Sequence, residues 1–255
     1  MNQFSSHDAK RFEALRSQPG LSGNTRTALE MMEIDGLIKP GQSYLGIGAG
    51  DGELEHHLAA NHSAQVGYID PSRNLADLFR KRMRESALES RILDFSVSEA
   101  ATSQLDHRYH CALAVHSWYY IGYSEETLRK LTRSLRPGGC LCILVHAQES
   151  IVDRISGFKE SAAGPVRAEP LLAWIKTLGY GASMQLCSDG SPAERYFNPD
   201  GSFNQAGRSW IAYMLRVEES AVTDAEWTRC RKILEGEGSR ISFKYGWIKI
   251  EDQSR

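Results

Sequence analysis

Long apolar runs are missing from this sequence: none approaches the roughly 18 residues that a helix needs to cross a bilayer. The N-terminus Met1-Asn2-Gln3-Phe4-Ser5-Ser6 lacks a basic region followed by an apolar core. Neither a membrane span nor a secretory leader is expected, and the reading is a cytoplasmic protein. A dominant charge is missing too. A net charge of −2 gives no long-range attraction to phosphate backbones or anionic lipid, so neither nucleic acid nor membrane is expected as a partner. Cysteine is sparse: Cys111, Cys140, Cys142, Cys187 and Cys230 contain no C-x-x-C pair and are odd in number. Neither a disulfide framework nor a zinc site is expected from them, and they read as small buried apolar side chains. No metal constellation is seen elsewhere, since Glu55, His56 and His57 are consecutive and diverge around a helix. Internal repeats and low-complexity segments are absent.

The 255 residues, 41% of them hydrophobic, suffice to bury a real core in one domain. They are organised around Tyr44-Leu45-Gly46-Ile47-Gly48-Ala49-Gly50-Asp51-Gly52-Glu53, where four alternate glycines follow a short apolar strand. Glycine reaches positive φ without steric cost and admits a ligand close to the backbone, so the turn is suited to a nucleotide-type cofactor at a strand's carboxyl end. A dinucleotide fingerprint fails in both registers, because the last glycine of Gly-x-Gly-x-x-Gly is replaced by Asp51 or Glu53. Strand, Gly-x-Gly-x-Gly and an acid instead resemble the first motif of class I S-adenosylmethionine (SAM) dependent methyltransferases.

The rest of the chain reads as alternating helices and strands. Thr25 to Ile34 is a helix with Asn24 as a possible N-cap, lidding the cleft or packing on the sheet edge. Glu53 to Ala60 is a short helix, and Gln65 to Ile69 is the second strand, ending on Asp70. That carboxylate, 20 residues after Gly50, sits where it accepts hydrogen bonds from a ribose diol. The alternative role is an N-cap for the helix Ser72 to Met83, whose inward face is Leu75, Leu78, Phe79 and Met83. Arg91 to Phe95 is the third strand, with Ser96 to Glu99 placed to meet an adenine. His110 to Val115, nearly all apolar, is a buried parallel fourth strand. His116-Ser117-Trp118-Tyr119-Tyr120 follows it. Ser124 to Leu135 is a helix, and Leu135-Arg136-Pro137-Gly138-Gly139 before the strand Cys140 to Val145 is a second feature of class I methyltransferases. A helix at Pro170 to Leu178 and a strand at Ser183 to Cys187 come next.

Between Ser188 and Gly238 the α/β pattern is interrupted by helix candidates at Phe203 to Leu215 and Thr223 to Leu234, the latter opening on the capping box Thr223-x-x-Glu226. The fold class expected is therefore α/β: a Rossmann-like, seven-stranded, mostly parallel sheet with helices on both faces and an antiparallel last strand, Arg240 to Glu251, irregular near Gly246. Residues 1–255 form a single domain, with 1–40 as an N-terminal helical lid and 188–238 as a substrate-covering insertion between the last two strands. A monomer or weak dimer is expected.

The chain more narrowly resembles the histamine N-methyltransferase family, through Gly46-Ile47-Gly48-Ala49-Gly50-Asp51, Asp70-Pro71-Ser72 and Tyr119-Tyr120. That resemblance implies a SAM site from Gly46, Asp70, Ser98 and Val115, with Tyr119 and Tyr120 at the substrate amine; Ile47, Gly48 and Pro71 join the expected cofactor site and His116 the acceptor end. The family's tryptophans after the fifth strand have no counterparts in Glu149 to Lys159, so histamine is not carried over. Methyl transfer from a sulfonium is an in-line displacement needing alignment more than acid and base groups. The tyrosine rings suit a sulfonium or an ammonium, and His116 suits proton acceptance near neutrality. The expected reaction is methyl transfer from SAM to nitrogen, or to oxygen or carbon, of a small soluble molecule. Two alternatives remain: attack on the aminocarboxypropyl chain with release of methylthioadenosine, and a SAM-binding regulatory protein without catalysis.

Overall fold

Period-two burial explains how the central sheet takes its place. In β1 (Ser43–Ile47) and β4 (Tyr109–Val115) successive side chains enter two different apolar clusters: Tyr44, Cys111 and Leu113 on one face, Leu45, Ala112 and Ala114 on the other. A strand buried on both faces must be apolar at nearly every position, and helices must cover each face. The computed structural model describes residues 22–156, 166–215 and 217–251. Its seven-stranded sheet has the order β3-β2-β1-β4-β5-β7-β6, formed with β2 (Gln65–Ile69), β3 (Ile92–Ser96), β5 (Leu135–His146), β6 (Ala182–Pro192) and β7 (Arg240–Glu251). β7 runs antiparallel to both β5 and β6, and the remaining pairs are parallel. This is the Rossmann-like architecture expected. The strand order reverses between β1 and β4, and in open α/β sheets that is where a cleft forms outside the carboxyl ends.

Helix α1 (Gly23–Ile34) is capped by Ser22, whose hydroxyl accepts from the Thr25 amide, and not by Asn24. It buries Ala28, Leu29 and Met32 as expected. α2 (Glu53–His62) follows the glycine turn. α3 (Arg73–Glu85) takes its cap from the Ser72 side chain, and so Asp70 is released from that role. Ala76 is buried on α3, whereas Leu78 is 37% exposed and not on the inward face. A short helix α4 (Trp118–Ile121) precedes α5 (Glu125–Arg133). Leu135 starts β5 instead of ending α5, with Ser134 as the cap between them. Helices α6 (Ile151–Ser156) and α7 (Ala168–Thr177) separate β5 from β6.

β6 is longer than the apolar pattern indicated. Ser188 to Pro192 pair residue by residue with Lys244 back to Arg240, so the first part of the 188–238 segment is sheet. Pairing of β7 passes through Gly246 without a register shift on either side. The glycine instead accommodates α7, because an added Cβ would stand 2.2 Å from the Ala168 Cβ. The rest of the segment carries α8 (Gln205–Leu215) and α9 (Asp224–Glu235), the second opened by the full Thr223–Glu226 capping box. Residues 1–21, the first half of the expected 1–40 lid, lie outside the described residues.

Candidate functional site

A cavity of about 520 Å³ opens at the carboxyl ends of β1, β2 and β4, within the range of about 300–1,000 Å³ common for small-molecule sites. It is lined by Ile47, Gly48, Ala49 and Gly50 of the glycine turn, and by Asp70 and Pro71 after β2. Ser98 and Glu99 after β3, and Val115, His116, Ser117 and Tyr120 after β4, complete its base. Thr25 from α1 and Tyr213 from α8 close over it from other parts of the chain.

The glycine turn is built by steric necessity. Gly48 has φ of +60°, and a Cβ there would stand 2.4 Å from the Ser117 Cβ. Gly46 lies inside β1 and does not line the cavity: a Cβ there would meet Glu55 Oε1 at 2.1 Å. Its missing side chain thus makes room for the Glu55 carboxylate, which does line the cavity. The sequence reading placed a ligand at that backbone, whereas the space goes to an acid one turn into α2.

Asp70 is 5% exposed, and both oxygens hold backbone: Oδ2 accepts from the Gly50 amide at 2.9 Å and Oδ1 from the Ser72 amide at 2.8 Å. Burial raises its pKa, and the two amides oppose the rise. One carboxylate therefore fixes the turn, starts the chain toward α3 and faces the cavity, with lone pairs left over for a ligand. Asp51, the acid inside the turn, is bonded to Arg82 at 2.7 Å. His56 and His57 stand outside the cavity, on Ser86 and Asn61 respectively.

At the β4 end the adjacent tyrosines part company. Consecutive residues on a helix point about 100° apart, so on α4 Tyr120 lines the cavity while Tyr119 turns behind His116. The Tyr119 hydroxyl accepts the His146 amide at 2.6 Å and lies 3.2 Å from His116 Nδ1. Donation from the hydroxyl to Nδ1 leaves only an Nε2–H unpaired, whereas donation from Nδ1 leaves both the O–H and the Nε2 lone pair without a partner. The first arrangement makes His116 the neutral Nε2–H tautomer, with that nitrogen buried and without a hydrogen-bond partner among the described residues. Burial pushes its pKa down to about 3. Desolvation thus disfavours the imidazolium, against the expectation of a histidine titrating near neutrality. His116 also has φ of +53°, a conformation rare outside glycine.

The sequence reading did not bring His146 and Tyr245 to this wall. Their rings lie 5.0 and 4.9 Å from that of His116. They arrive through the antiparallel register that pairs His146 with Tyr245. Tyr213 was likewise missed, although it sits beside the buried Trp210-Ile211-Ala212 run of α8.

Charge in the cavity is one-sided. Glu53, Glu55, Asp70, Glu99 and Glu126 line it, with no lysine or arginine among the described lining residues. Glu53 is itself engaged by the Ser22 amide and by the hydroxyls of Ser22 and Thr25, which tethers the start of α1 at the rim.

A family described as methyltransferase domain matches residues 45–141, the span that contains the glycine turn, Asp70 and the His116 wall. Over 107 residues the chain is 30% identical to methyltransferase GfsG of Streptomyces halstedii, covering 42% of this chain and 38% of that protein. Over 121 residues it is 26% identical to phosphoethanolamine N-methyltransferase 2 of Caenorhabditis elegans, covering 47% and 27%. The matches thus span well under half the length of these curated relatives. Among solved structures, a SAM-dependent methyltransferase from Geobacter sulfurreducens in complex with S-adenosyl-L-homocysteine superposes with a TM-score of 0.60 at 22% identity, covering 94% of this chain and 97% of that one.

Proposed function

We propose that this chain, which carries a class I SAM-dependent methyltransferase domain on the corresponding fold, transfers a methyl group from SAM to a nitrogen of a small molecule. The observation that carries the reading is one cavity running from Asp70 and the glycine turn to His116 and Tyr120, walled by acids and with no lysine or arginine among the described lining residues. The residues fit the cofactor. In this reading Asp70 meets a ribose diol and Ser98 and Glu99 an adenine edge, while Gly48, whose missing Cβ leaves room for Ser117, keeps the turn's backbone bare at the cavity. When bound, SAM supplies an electrophilic methyl on a sulfonium centre.

The chain's own residues align and shield. The Tyr120 and Tyr213 rings offer π-faces to a cationic group, each worth about 0.5 to 2 kcal/mol when desolvated. The carboxylates favour a cationic ligand and repel a phosphate, so a phosphate-bearing acceptor fits this chain poorly. His116, held neutral in the wall of the cavity, orients and excludes water and does not take up a proton near pH 7. Ser22 and Thr25 clamp α1 to Glu53, which keeps the rim over the cofactor end.

The test is incubation with SAM and a panel of small amines, with separation of the cofactor-derived products. S-adenosylhomocysteine together with a methylated amine supports the reading. Methylthioadenosine indicates attack on the aminocarboxypropyl chain, and tight calorimetric binding without turnover of any amine indicates a regulatory protein.

A further inference from the structure

Away from the cavity three thiols meet at one point. Cys140 and Cys142 are two residues apart on β5, and Cys111 of β4 pairs in register with Cys140, so all three project from one face of the sheet. Their Sγ atoms form a nearly equilateral triangle with edges of 3.7, 3.8 and 3.9 Å. All three side chains are buried and unoxidised. The sequence offered no C-x-x-C pair, but strand register does what local spacing does not.

Three sulfurs around an ion with metal–sulfur bonds of about 2.3 Å stand roughly 3.8 to 4.0 Å apart. The triangle already has that size, so an ion could enter without a strand shifting. Thiolate is a soft donor that selects Cu(I) or zinc over hard cations. Structural zinc takes four ligands, and among the described residues no fourth cysteine, histidine or carboxylate joins the group. A three-coordinate d¹⁰ cation is what such a donor set suits. Lys249, paired in register with Cys142 and ion-paired with Glu251 at 3.3 Å, brings a positive charge to the edge of the group.

We propose that Cys111, Cys140 and Cys142 form a binding site for one soft, thiophilic cation of the Cu(I) class. On binding, the thiols release their protons to solvent as three sulfur–metal bonds form, and the ion keeps its oxidation state. The site does not depend on the methyltransferase reading.

The experiment titrates the reduced full chain with Cu(I), without oxygen and against a competing Cu(I) chelator, followed by copper-edge X-ray absorption. One equivalent should be retained, with three sulfur neighbours. Cys111→Ala, Cys140→Ala and Cys142→Ala should each weaken retention by more than about 100-fold, beyond what loss of an outer-shell partner costs. Cys187→Ala and Cys230→Ala should leave it unchanged. Valine at the same three positions, with circular dichroism as the check on folding, keeps the packing volume while removing the sulfur. Cu(I) held by the wild-type chain no more tightly than by Cys140→Val, or held by nitrogen and oxygen ligands, overturns the proposal and leaves three packed thiols.

Discussion

Asp70 Oδ2 accepts the Gly50 amide at 2.9 Å, which fastens the end of β2 to the turn after β1. The carboxylate thus organises the turn before any ligand arrives. Asp70→Ala should weaken SAM binding by about 1.5 to 3 kcal/mol through loss of charge-assisted hydrogen bonds. It should also lower the melting temperature, because the Gly50 and Ser72 amides lose their partner. Calorimetry and a thermal scan separate the two effects. Unchanged affinity alongside a lowered melting temperature would confine Asp70 to the turn.

Gly48→Val should abolish cofactor binding and destabilise the fold modestly. The β-branched side chain meets Ser117 and resists a φ of +60°. A thermal shift on adding SAM, compared between wild type and variant, reads this directly; a shift of wild-type size would remove the turn from the site. Gly46→Ala offers a contrast, since Gly46 does not itself line the cavity and its Cβ meets the Glu55 carboxylate. Any loss of affinity there would be expected to act through displaced Glu55.

Stability should fall on acidification through buried imidazoles. The His116 pKa is lowered by burial to about 3, and burial also holds His146 well below its ordinary value. Both are depressed, so between the unfolded value near 6.5 and the folded value the unfolded chain binds more protons. Their contribution is complete above about pH 6.5 and is lost as pH falls, with a slope of roughly 1.4 kcal/mol per pH unit for each group. Denaturant unfolding of wild type and His116→Gln between pH 7 and pH 5 checks it. Equal slopes would mean that His116 is solvated and charged in the folded chain. The pH–rate profile, in turn, should carry no limb near neutrality from His116.

What was legible in the sequence is what local chemistry dictates. Gln65 to Ile69 was bounded correctly because Val66 to Ile69 is a short buried run, and the glycine turn announced itself through three successive alternate positions of positive φ, Gly48, Gly50 and Gly52. Ser188-Asp189-Gly190 carried no such signal. Those polar residues are strand because β7 supplies the hydrogen bonds at the sheet's edge. The cysteine triangle and the His116–His146–Tyr245 wall depend on register between strands far apart in sequence, which no window of neighbouring residues encodes. Ser22, not Asn24, caps α1 because Glu53 draws the Ser22 amide and hydroxyl toward it, a contact spanning 31 residues.

Tyr119 and Tyr120 should separate under mutation, although the sequence treats them as a pair. Tyr120 lines the cavity, so Tyr120→Ala should lower turnover far more than SAM affinity, since the acceptor loses its alignment while the cofactor keeps its contacts. Tyr120→Phe keeps the ring face: retained activity indicates a cation–π or packing role, and lost activity a hydrogen bond to the acceptor. Tyr119 lies behind the wall, and its hydroxyl is shared between the His146 amide and His116 Nδ1. Tyr119→Phe strands both groups in a buried place, which costs about 1 to 3 kcal/mol of stability for each unpaired partner. It also frees the imidazole to change tautomer. Nitrogen-15 spectra of His116 should therefore report protonation at Nε2 in the wild type and a mixture of tautomers in Tyr119→Phe. Protonation at Nδ1 in the wild type would reverse the direction of that hydrogen bond. It would turn His116 from a donor into an acceptor at its remaining nitrogen.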